Sequence, residues 1–174
     1  MGDLHNLFKL LEGARAWDVH IPGFIDRDGN VPRFTPLSAT VYIALQSGYL
    51  SLESVADEGQ LALRLVSEPE IPEPLKGEDE AFSLGSYGQL FLQDPPSPRP
   101  FTRIRAVVDG GSAPSRSIVR CLEFTFGDSL VLFADPAYHF GVRLEGVGAY
   151  ERWITDNQGS SDVYGPIREL TWTS

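Results

Sequence analysis

The stretch Ile118-Val-Arg-Cys-Leu-Glu-Phe-Thr-Phe126, Gly127-Asp128, Ser129-Leu-Val-Leu-Phe-Ala134 sets two β-rich runs on either side of a Gly-Asp pair. Glycine in the first place of a two-residue loop suits a type II′ turn, which needs a positive φ there and matches the twist of the flanking strands. With a loop of that length, Phe126 pairs with Ser129, Phe124 with Val131, Leu122 with Phe133 and Glu123 with Leu132. One face then gathers Leu122, Phe124, Phe126, Val131 and Phe133, enough apolar surface to seed a core. This predicts a mainly β body and names no chemistry.

The same patterning runs in both directions from that hairpin. Upstream, Phe101–Val108 reads as a strand and Gly110–Ser115 as a loop. Thr40–Leu45, Tyr49–Val55 and Leu61–Val66 form a meander of three strands by their β-branched content and alternation. A rival helix over 36–47, framed by Thr35, Pro36 and Gly48, is weakened by the Thr-Val-Tyr-Ile run, whose β-branched side chains lose freedom in a helix. Asp28-Gly29 marks a turn between Phe24-Ile25 and Val31–Phe34. Phe82–Leu92, with Gly85 and Gly88 inside it, predicts a bent strand. Downstream, Phe140–Leu144 predicts one more strand, Tyr150–Ile154 its extension or a short helix, and Ile167, Leu170 and Trp172 a closing strand.

At the start, Leu4, Leu7, Phe8 and Leu11 make one helical stripe, with Asp3 as N-cap and Gly13 just past the end. A segment this short is not stable alone, so the helix over 3–12 is expected to dock on the sheet. The fold expected is β-dominated α+β: an antiparallel meander of about eight strands, as a sheet or partly open barrel, with a docked N-terminal helix. Residues 1–174 form one domain, because this length buries about 70% of the unfolded surface in a single core. Residues 68–80 read as an acidic Pro-rich loop and 94–100 as a Pro-rich connector.

Charge narrows the partners. The chain has 24 acidic and 14 basic residues, a net charge of -10, which disfavours nucleic acid and anionic membrane surfaces. It suits a basic protein partner. The single cysteine, Cys121, allows no internal disulfide, and its place inside a strand predicts a buried thiol. With no basic, apolar leader and no run near 20 apolar residues, a soluble, cytoplasmic protein is expected.

Catalytic and cofactor signatures are missing. Leu84-Gly85-Ser86-Tyr87-Gly88 lacks the spacing of a nucleophile elbow. His5, His20 and His139 are scattered, so no metal site is expected. Asp26-Arg27-Asp28-Gly29-Asn30 fails the calcium-loop pattern at its first and twelfth positions, Phe24 and Thr35. Gly110-Gly111-Ser112 has neither the lysine nor the spacing of a phosphate cradle, so no cofactor is expected.

Two sites are left to weigh. Residues 53–94 hold ten acids against two bases, and 99–120 hold five arginines against one acid. Arg103 and Arg105 share a strand face that is either wet or paired with acids. The first expectation is a non-enzymatic binding protein, of inhibitor or immunity type, that masks a basic partner with Glu68, Glu70, Glu73, Glu78, Asp79 and Glu80. The alternative is a small-molecule-binding protein or enzyme with a pocket at Asp135, Tyr138, His139 and Phe140.

Overall fold

The computed structural model describes residues 3–55, 58–77, 82–136, 141–159 and 164–174. Helix α1 (Leu4–Leu11) begins at Asp3, whose carboxylate accepts the His5 N–H at 3.2 Å. Its four stripe residues are all buried, and each contributes about 1.5–3 kcal/mol by leaving water.

Strand β1 (Arg15–Asp26) is the long axis of the sheet. It carries a bulge at Trp17, since Ala16 pairs with Leu45 and Asp18 with Ala44. The extra residue switches the facing of the strand. Val19 and Ile21 enter the core, while Asp18 and His20 stand on the opposite face beside Tyr42. The first half of β1 pairs with β3 (Thr40–Leu45), the second with β2 (Arg33–Pro36) on one edge and with β6 (Phe82–Ser86).

Strands β3, β4 (Tyr49–Val55) and β5 (Gln60–Val66) form the expected meander, with Ile43 opposite Leu50 and Leu52 opposite Leu63. Residues 40–45 are strand because β1 and β4 satisfy both edges. Strand β7 (Arg99–Val108) pairs with β1 through Pro100 and Arg99, then runs on between β9 (Cys121–Phe126) and β12 (Arg168–Thr173). Strand β8 (Ile118–Val119) pairs with β5 and continues through Arg120 into β9. Strands β10 (Leu130–Asp135) and β11 (Arg143–Glu145) complete the second meander.

The protein is mainly β, and these described strands make one antiparallel sheet whose path is open, from β11 to β8. It comprises two meanders, β3–β4–β5 and β9–β10–β11, joined through β1 and β7. Apolar residues of both halves share one core with α1 and Leu92. Helix α3 (Ala149–Asn157) closes a second, smaller core on the other face, where Ala149, Tyr150 and Trp153 meet Val107, Cys121 and Phe133. Among the described residues no helix is long and apolar enough to cross a membrane.

The central hairpin departs from its expected register. Phe126 pairs with Leu130, Phe124 with Leu132, Glu123 with Phe133 and Leu122 with Ala134. The loop has three residues, Gly127, Asp128 and Ser129, with Gly127 at φ +55°. Strand β7 is the cause. Its bulge at Thr102 lets that hydroxyl donate to Gly127 O at 2.6 Å, and Gly127 N donates to Pro100 O at 2.9 Å. The Gly127 peptide is thereby held away from β10. A slip of one residue exchanges the faces of a strand. Leu132 and Ala134 therefore enter the main core, and Phe133 joins the cluster under α3.

Two further segments differ from their reading, and a third takes one of its two alternatives. Phe82–Leu92 is not one bent strand: β6 ends at Ser86, and Gly88–Phe91 forms the short helix α2. Of the two readings of Tyr150–Ile154, the short helix is the one formed, within α3. The acidic segment after β5 is not wholly extended and solvated. Glu73–Leu75 makes a 3-10 turn, and Leu75 is buried.

Candidate functional site

The acidic segment is tied to the outer face of the first meander, and a groove of about 360 Å³ opens between them. Thr40, Tyr42, Glu53 and Arg64 come from β3, β4 and β5, while Pro22 and residues 37–39 line one side. Residues 70–74 and Lys76 line the other. Two contacts hold the segment in place: buried Leu75, and the Glu70 N–H donating to the Tyr42 hydroxyl at 3.1 Å.

The charges in the groove are only partly balanced. Arg64 pairs with Glu53 at 3.2 Å and Lys76 with Glu73 at 2.6 Å. Glu73 holds the Lys76 ammonium above its usual range, chiefly by their hydrogen bond. Among the described residues the Glu70 carboxylate has no ion pair, and it stands beside the apolar Ile71 and Pro72. Burial, reinforced by the Glu70 and Glu53 charges, pushes the Tyr42 phenol above its ordinary value. Its hydroxyl therefore keeps its proton at neutral pH.

Of the six acidic positions expected to meet a partner, Glu70 and Glu73 line the groove. Glu68 is exposed just beyond β5 and outside the lining. Glu78, Asp79 and Glu80 lie outside the described residues. Of the alternative site, Asp135 ends β10 with Arg120 Nη1 at 3.6 Å, while Tyr138, His139 and Phe140 lie outside the described residues. Two arginines of β7, Arg103 and Arg105, are paired with acids, and among the described residues none of these acids belongs to the acidic segment. Arg105 reaches the buried Glu123 and Glu151, and Arg103 lies 3.5 Å from Glu123.

One cluster was not singled out from sequence. Asp18 is 6% exposed, and its carboxylate accepts the N–H groups of Val19 (2.8 Å) and Gly88 (2.9 Å). Ser86 Oγ sits 2.7 and 2.9 Å from its two oxygens, and His20 Nε2 lies 3.0 Å from Oδ2. A side chain at position 88 would strike the carboxylate, which explains the glycine there. Serine, histidine and aspartate are the residue types of a hydrolytic triad, but the wiring differs. The hydroxyl bonds the carboxylate instead of the imidazole, and His20 Nδ1 has no partner among the described residues. Such an arrangement pins β1, β6 and α2 together, and among the described residues Ser86 bonds no imidazole. The only sequence trace of it is the Asp-x-His alternation after Trp17.

Cys121 is fully buried and free, and burial pushes its thiol well above the ordinary value. Among the described residues no three His, Cys, Asp or Glu side chains are grouped so as to hold a metal ion. No protein-family model matches the chain, and no curated protein or solved structure matches it.

Proposed function

We propose that this protein is a non-enzymatic binding protein that takes a basic segment of another protein into the groove and masks it, in the manner of an inhibitor or immunity-type protein. The observation that carries the reading is the Glu70 carboxylate, which has no ion pair among the described residues and stands beside Ile71 and Pro72 at a groove of about 360 Å³. A lysine or arginine lays its apolar stem along such a wall and brings its cation to the carboxylate. The net charge of -10 supports the reading, because an oppositely charged surface speeds the approach of a basic partner. So does the state of the side chains best suited to nucleophilic attack, since Cys121 is buried and Ser86 is bonded to a carboxylate.

The test is a titration of isotope-labelled protein, followed by NMR, with an unstructured peptide carrying Arg and Lys among apolar residues. A copy with Gln in place of each cation is the control. Shifts are expected to gather on residues 37–42, Glu53, Arg64 and 70–76, to weaken with salt, and to be absent with the control. Glu70→Gln is expected to weaken binding about three- to tenfold. Shifts spread evenly over the acidic surface, or equal binding of the Gln peptide, overturn the proposal.

A further inference from the structure

Helix α3 docks on the sheet through a few buried side chains and a set of charged contacts around them. Of its nine residues only Ala149, Tyr150 and Trp153 are buried. Its N-cap, Gly148, is left-handed at φ +85° and offers no side-chain cap. A Cβ built at Gly146 or at Gly159 meets nothing within 4 Å, so both ends leave the sheet through unpacked glycines. A helix this short does not persist without its docking contacts.

Those contacts form a ring of ionic groups. From β7, the Arg105 guanidinium lies 4.1 Å from the centroid of the Tyr150 ring and bonds both Glu151 and Glu123 of β9, with Arg103 beside Glu123. From β12, Glu169 accepts the Tyr150 hydroxyl at 2.8 Å. From β11, Glu145 lies 3.8 Å from Arg152 and 3.0 Å from Arg143. At the start of β9, the Arg120 guanidinium faces the Trp153 ring at 5.2 Å, with Asp135 of β10 behind it. Cys121 belongs to the cluster that α3 completes.

We propose that α3 is a charge-latched cover that lifts from the sheet as one unit while the rest of the fold stays intact, uncovering Cys121 and Arg120, and that loss of the Arg105–Glu151 contact opens it. Local openings of this kind are drawn from elements with few buried apolar contacts, and six of the nine α3 residues are not buried. The main core, on the other face of the sheet, does not depend on α3. The latch is also acid-sensitive. Its hydrogen bond to Arg105 holds the Glu151 carboxyl below the ordinary 4.5. The contribution of Glu151 is therefore whole above that value and is lost as pH falls through the lower folded value.

The experiment measures amide exchange and the labelling of Cys121 by an uncharged maleimide at one neutral pH, in the wild type and in Glu151→Gln. Glu151 is exposed enough for the variant to fold. Exchange over 149–157 and labelling of Cys121 are expected to rise together by about fivefold, with β3–β5 protection unchanged. Raising the salt of the wild type to about 0.5 M should move both readouts the same way. Cys121 labelling that follows β3–β5 exchange, or that does not change in the variant, overturns the proposal.

Discussion

Asp18 shows how much one buried carboxylate can organise. It sits at a strand bulge, and two backbone N–H groups, a hydroxyl and an imidazole converge on it. Removing it strands the buried Val19 and Gly88 N–H groups, and orphaned buried groups cost more than an average hydrogen bond contributes. Asp18→Ala is expected to lower stability by about 3 kcal/mol in urea unfolding, and a loss under about 1 kcal/mol would show the donors finding other partners. Little of this was legible in the chain. Ser86 and Gly88 lie 68 and 70 residues away, and no local pattern says that they close on Asp18. Cys121 was legible, because a thiol among alternating apolar residues has only a packed place to go.

The elements divide by how far their own residues decide them. Helix α1 has its stripe, cap and terminal glycine within 11 positions, so its own residues mark its type and its ends, while its stability comes from docking. The meander β3–β4–β5 follows from alternation bounded by turns. The β9–β10 hairpin does not, because Thr102 and Pro100 of a third strand take up the Gly127 peptide and lengthen the loop. The resulting register has a direct check. Leu132 is fully buried while Val131 is only half-buried, the reverse of what a two-residue loop requires. Leu132→Ala is expected to cost about 2–5 kcal/mol in thermal or chemical unfolding, and Val131→Ala about 1 kcal/mol or less. Equal losses would contradict the register. Helix α3 was ambiguous for a related reason: Tyr150, Glu151 and Trp153 take their partners, Glu169, Arg105 and Arg120, from other parts of the chain.

Over the whole molecule, the sheet is assembled from partners far apart in the chain. Arg15 pairs with Pro100, Leu61 with Val119 and Arg103 with Thr173. Such pairings must be closed before they are rewarded, so refolding is expected on the order of milliseconds to seconds. Stopped-flow far-ultraviolet dichroism and tryptophan fluorescence should rise together, since α1 needs the sheet to form. Full recovery within about 100 microseconds would contradict this topology. The β class, the docked helix and the buried cysteine follow from the chain read alone, because period, caps and side-chain volume act between near neighbours. The hairpin register, the Asp18 cluster, the groove beside Glu70 and the latch on α3 arise only in the folded molecule. Each depends on a hydrogen bond, an ion pair or a wall supplied from a distant strand, and sequence spacing carries no record of which distant strand that is.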